Sequence, residues 1–85
     1  MIIGKVVGRV VSTRKYDDLQ GYKFLIIQPY DQATDCFVAA DEIGAGEGEY
    51  VLVSTGSAVQ YALRKNAAID AIVIGILDNE PAIGK

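Results

Sequence analysis

Three glycines at alternate positions, Gly44-Ala45-Gly46-Glu47-Gly48, stand one residue before the apolar run YVLVS. Glycines so spaced let a backbone approach a bound group closely, so phosphate binding is the first chemistry to weigh. A dinucleotide fingerprint needs a strand, a glycine turn and then a helix whose N-terminus faces the pyrophosphate. Here the glycines lead into another strand-like segment, Glu49 to Thr55. Glu47 and Glu49 also bring negative charge to where a phosphate would lie, and the Gly-Lys-Ser/Thr of a phosphate loop is missing. The segment reads as a tight turn that needs positive φ and close backbone packing, with no bound nucleotide.

Other candidates for chemistry are weaker. Thr55-Gly56-Ser57 opens a helix-like stretch, where an ordinary N-cap explains the residues without a bound anion. Arg14, Lys15, Tyr16, Tyr22, Lys23 and Phe24 mix basic and aromatic side chains around the first turn, as a grip on single-stranded nucleic acid would. Asp17 and Asp18 cancel that charge, and Phe24 alternates with Tyr22 and Ile26 as core residues do. Cys36 is the sole cysteine and there is no histidine to activate it, so a buried, inert thiol is expected among Phe37 and Val38. The acidic residues stand singly or in solvated pairs such as Asp41-Glu42. No constellation for acid–base catalysis emerges, and neither enzyme activity, cofactor nor metal is expected.

Composition narrows the class further. At 85 residues the chain is one domain, residues 1–85, of a size that buries only about 60–65% of the surface its unfolded form exposes. Apolar residues make up 51% of it. Counting glycine in place of tyrosine lifts that share above the average of about 45–50%. So small a core cannot hold all of this, and part of the apolar surface is expected to face another subunit. A net charge of −3 and a pI near 4.7 argue against a nucleic-acid partner. MIIGKVVGRVV lacks a basic region ahead of a long apolar run, and no stretch approaches the roughly 20 apolar residues of a membrane span. No membrane association and a cytoplasmic location are expected.

Five strand-like segments would position these residues. Ile2 to Thr13 is dense in β-branched residues and punctuated by Gly4 and Gly8, as in a long strand that curls. Tyr22 to Tyr30, Asp35 to Ala40, Glu49 to Thr55 and Ala71 to Asp78 follow. Ser57 to Lys65 is the one credible helix, with a capping-box spacing between Ser57 and Gln60 and with Arg64 and Lys65 in its last turn. The inventory is all-β: a small OB-like five-stranded β-barrel with one short helix. The helix falls between the fourth and fifth strands, later than in a standard OB barrel, so either a strand is misassigned or the barrel is a variant. Alternation on the strands predicts a core containing Val6, Val10, Leu25, Ile27, Val51, Val53, Ile72 and Ile74.

The blocks "GKVVGRVVSTRK", "DEIGAGEGEYVLVSTGSA" and "IDAIVIGILD" together resemble the EutN/CcmL family of bacterial microcompartment shell proteins, in the family's order and across nearly the whole chain. The resemblance implies an OB-like barrel that assembles into a homo-pentamer and caps the vertices of a polyhedral shell in the bacterial cytoplasm. Hexameric shell proteins tiling the facets would be its partners. Two departures accompany it: only Gln32-Ala33-Thr34 stands where the family commonly has a longer insertion, and Gly56-Ser57-Ala58-Val59-Gln60 lacks the family's arginine at the helix. In such a ring Gly44, Ala45 and Gly46 are candidates to line the axis or a subunit contact. Val73 is the candidate interface residue, with Ile72 facing the core. Ile72→Asp is then expected to unfold the chain, and Val73→Asp to leave it folded but poorly assembled. The alternative function is an OB-type single-stranded nucleic-acid-binding module, and a small-molecule barrel is a third reading for which the residues offer no site.

Overall fold

The computed structural model describes residues 1–11, 19, 21–31, 35–56, 59 and 69–82. Five strands run in chain order: β1 (Ile2–Val10), β2 (Lys23–Pro29), β3 (Phe37–Asp41), β4 (Tyr50–Thr55) and β5 (Ala71–Ile76). They close into a barrel in the order β1-β2-β3-β5-β4, with β4 returning to β1. Every neighbouring pair is antiparallel except β3 and β5, which run parallel. All five strand assignments therefore hold, and the barrel is the variant: residues 42–49, between β3 and β4, form no helix. The expected helix from Ser57 to Lys65 lies outside the described residues apart from Val59, as does most of the first loop with Arg14, Lys15 and Tyr16.

Alternation builds the interior. In β2, Leu25 and Ile27 point inward while Phe24 and Ile26 point out. Val6 of β1, Ala39 of β3, Val51 and Val53 of β4 and Ala71 and Val73 of β5 complete the lining, with Ile2, Phe37 and Ile76 packed at its margin. Val6, Ile27, Val51 and Val53 are at most 1% exposed. Each such aliphatic side chain contributes about 1.5–3 kcal/mol by leaving water.

Strict alternation fails at two bulges, and both change which residues face in. Val6 pairs with Ile27 but Gly8 already pairs with Ile26, so Val7 is an extra residue on β1. Beyond it the side-chain parity reverses, and Val10 comes opposite the outward Phe24. Val10 is 41% exposed and is not a core residue. On β5, Val73 pairs with Val53 and Gly75 with Leu52, which makes Ile74 the extra residue. The inward set on β5 is therefore Ala71, Val73 and Ile76. Ile74, placed in the core by the expected alternation, is exposed, because the inward set on this part of β5 is Ala71 and Val73 and the bulge then exchanges Gly75 for Ile76.

The same register corrects the assignment of Val73. It is 2% exposed inside the barrel opposite Val53, so it has no free surface to offer a neighbouring subunit. Ile72 faces outward, but into a second apolar cluster with Ala40, Val59 and Ile69 that Leu19, Tyr22 and Phe24 flank. One face of β5 thus meets the barrel core, and part of the other meets chain from the connection between β4 and β5.

Gly4 is required by close approach. It is buried where β1 crosses β2, and a Cβ there would overlap Ile27 Cγ2 and lie 2.9 Å from the Gln28 carbonyl oxygen. The obstacle includes backbone, which cannot rotate away. Gly4→Ala is expected to lower stability by about 1–3 kcal/mol, read as a lower urea midpoint at unchanged slope. An unshifted midpoint would show that the strands can separate at this crossing without loss.

Candidate functional site

The glycine loop is organised by a residue that precedes it. Asp41, the last residue of β3, is 2% exposed. Its Oδ1 accepts from the N–H of Ile43 at 3.0 Å and of Gly44 at 3.3 Å, while Oδ2 accepts from Gly44 at 3.1 Å and Ala45 at 2.8 Å. This is an Asx-type turn extended over three donors. Lys23, directly across the β2–β3 ladder, brings its ammonium to 3.8 Å from Asp41 Oδ2 and donates to the Ala45 carbonyl at 3.3 Å. The Lys23 side chain is 52% exposed, so the charge pair itself contributes little, and the backbone donors do most of the solvation of the buried carboxylate. Asp41 is therefore not half of a solvated acidic pair, contrary to expectation. A strand-terminal aspartate followed by Gly44 at the third position was the available signal.

Past Ala45, Glu49 takes over. Its Oε1 accepts from the Gly46 N–H at 2.7 Å, and its own N–H donates to the Gly46 carbonyl at 3.1 Å. Gly44 and Gly48 adopt φ of 103° and 89°, the left-handed region that favours glycine. The Gly48 N–H then bonds Val6 O at 2.8 Å, and Val6 N–H bonds Glu49 O at 2.9 Å, which ties the loop to β1 beside its bulge. The four N–H groups from Ile43 to Gly46 are all directed at the chain's own carboxylates. A nest of this kind is shaped for an anion, and here the anion is internal.

The three expected site residues divide. Ala45 is 1% exposed and packs with Val6 and Leu25, so its side chain seals one end of the barrel. Gly44 and Gly46 lie on the exposed side of the same loop. Tyr22 and Phe24 from the aromatic–basic cluster are committed to the second apolar cluster, and Lys23 to Asp41 and Ala45. Cys36 is exposed rather than buried, with Sγ 3.0 Å from Gln28 Oε1, because it precedes β3 and lies on the outer side of the barrel.

A second polar group, which the sequence reading did not single out, joins β1, the residue that follows β2, β4 and the segment after β5. The rings of Tyr30 and Tyr50 meet edge to face at 6.1 Å, with Lys5 Nζ 5.6 Å from the Tyr50 centroid. Tyr30 donates its hydroxyl to Glu80 at 3.3 Å, and Leu77 N–H bonds the Tyr50 carbonyl at 2.9 Å. Desolvation first, and the negative charge of Glu80 second, push both phenols above their ordinary value of 10.0.

Several large apolar side chains lie outside the barrel. Ile3, Val7, Val38 and Ile74 are 37%, 49%, 48% and 37% exposed. Among the described residues no group of three or more His, Cys, Asp and Glu side chains is placed to hold a metal ion, and no helix is long and apolar enough to cross a membrane.

Comparison with known proteins adds the following. The profile of the family described as "Ethanolamine utilisation protein EutN/carboxysome" matches residues 1–78. The chain is 45% identical over 83 residues to the carboxysome shell vertex protein CcmL of Thermosynechococcus vestitus, covering 92% of this chain and 84% of that one. Among solved structures it resembles CcmL of Gloeobacter violaceus, with TM-score 0.84 and 42% identity over 96% of this chain and 90% of that one. It also resembles the GrpN pentameric microcompartment shell protein of Rhodospirillum rubrum, with TM-score 0.82 and 38% identity over 98% and 100% of the two chains.

Two outcomes follow from the local geometry. Asp41→Ala leaves three backbone donors without their carboxylate, the Ala45 N–H among them fully buried, and is expected to lower stability by about 1–3 kcal/mol, measured by urea unfolding. Asp41→Asn keeps an acceptor and should retain part of that; equal stability of the two variants would deny the carboxylate this role. For the tyrosine group, the folded state favours neutral phenols. Its contribution is intact below about pH 10 and is lost as pH rises through the raised values. A thermal melt followed between pH 8 and 11 should show that loss in wild type and a smaller one in Tyr30→Phe; identical profiles would contradict it.

Proposed function

The chain belongs to the EutN/CcmL family, and from that premise we propose that it caps the vertices of a bacterial microcompartment shell as a homo-pentamer that meets hexameric shell proteins at its rim. It is a structural protein rather than an enzyme. The single observation that carries the reading is the likeness, over nearly the full length of both chains, to a GrpN structure that is pentameric. The geometry agrees with it. A sheet of hexagons cannot close without fivefold units at its corners, and a cyclic unit needs subunits that stay assembled.

The contact with hexameric proteins is supported by what vertex-capping requires, since a vertex unit must end on the facets around it. Within the ring we retain Gly44 and Gly46 as candidates to border the fivefold axis or a subunit contact, on the strength of their exposed backbone. Ala45 belongs to that loop only through its main chain, because its methyl group faces the barrel interior. A ring with these glycines on its outer rim would remove the assignment.

Light scattering of the purified protein should give five times the chain mass of 9.1 kDa. Co-expression with hexameric shell proteins should yield closed polyhedra, whereas the hexameric proteins alone should yield sheets or open tubes. Closed shells formed equally well without this protein would refute the vertex role.

A further inference from the structure

The ring has to be made by two unlike faces of one barrel, and two apolar faces stand out among the described residues. On the first, Ile3 of β1 stands beside Leu52 of β4, and the bulged Ile74 of β5 lies at the next strand over. Ile3 and Ile74 are both 37% exposed. On the second, Gly8, Ile26 and Val38 form a row across β1, β2 and β3, with Val38 48% exposed. In the closed order β1-β2-β3-β5-β4, the centre of the first face, β4, borders β1 and β5 but neither β2 nor β3. The two faces meet at β1, where Ile3 and Gly8 stand five residues apart, and otherwise use different strands, β4 and β5 against β2 and β3.

A third outer strip, around Ala40 and Ile72, is treated differently. The chain covers it with Val59 and Ile69, and those residues are 0% and 6% exposed. The fold thus supplies its own cover where it has chain to spare, and leaves the other two apolar faces in water. Cyclic assembly with head-to-tail contacts needs two complementary but different patches on each subunit. A two-fold dimer needs one self-complementary patch and would leave the second face open.

We infer that the Ile3–Leu52–Ile74 face of one subunit seats against the Ile26–Val38 face of the next copy of this chain. The inference rests on the pentameric reading and adds to it which surfaces meet. On β5, Ile74 faces outward by ordinary alternation from the inward Val73. The bulge in β1 serves the pairing directly: it brings Gly8, with no side chain, opposite Ile26, where a Cβ would lie only 3.4 Å from Ile26 Cδ1. That leaves a low surface along the row rather than a ridge.

The test uses complementation of ring halves. Ile74→Asp damages the first face only, and Val38→Asp the second only; both positions are exposed in the single chain, so both variants should remain folded by circular dichroism. Native mass spectrometry is expected to show a pentamer for wild type and monomers for each variant alone. Mixed one to one, the variants should form a heterodimer through the one intact pair of faces and stop there. Ile3→Asp and Val38→Lys repeat the experiment should either first variant fail to fold. Variants that remain pentameric, or monomers that stay separate on mixing, overturn the pairing of faces while the wild-type pentamer stands. A monomeric wild type overturns the pentameric reading and the inference with it.

Discussion

The carboxylate of Asp41 lies in a nearly dry site with three backbone N–H groups turned toward it, and closure of the barrel depends on that set of bonds. β3 and β4 are consecutive in the chain but are not neighbours in the barrel, because β5 stands between them. The chain must therefore cross the barrel end before it can enter β4. A crossing over an apolar interior exposes backbone groups that no ladder satisfies, and each one left unpaired costs about 1–3 kcal/mol. Asp41 and Glu49 supply acceptors from within, Gly44 and Gly48 supply the left-handed turns, and Ala45 fills the end of the core with the smallest apolar side chain that will do so. A loop that resembles a phosphate cradle is in this way consumed by its structural task.

The second constraint is size. Five short strands enclose room for little more than one or two inward residues each, so a chain that is 51% apolar must leave many such residues outside. Part of the surplus packs under Val59 and Ile69, and the remainder forms the open outer faces. In a monomer those faces would oppose solubility, and a ring joined as inferred above would cover them. The small core and the assembled state are two consequences of one composition.

The five strands were legible because β-branched density and period-two alternation survive in every one of them. The turn character of Gly44-Ala45-Gly46 was legible from its position ahead of a strand. The orientation of Val10 was not, because the inserted Val7 exchanges the two faces of β1 beyond it, and those of Ile72, Val73 and Ile74 were not, because AIVI is apolar at every position and alternation alone does not say which set faces in. Nothing in the strings KVVGRVV or AIVIGI marks where the extra residue falls; only the partner strands fix it. Asp41 was misread for a related reason. Its neighbour Glu42 is solvated, and only the fold turns one carboxylate in and leaves the other out. Cys36 is the reverse case, an apolar context in sequence that the strand start leaves in water.

Symmetry is the most direct test of the account. Single-particle electron microscopy of the purified wild-type protein, averaged without imposed symmetry, should give rings of five barrels in which Val73 lies inside each barrel and Ile74 lies between neighbours. Rings of another order, open filaments or separate barrels with Ile74 in solvent would contradict it.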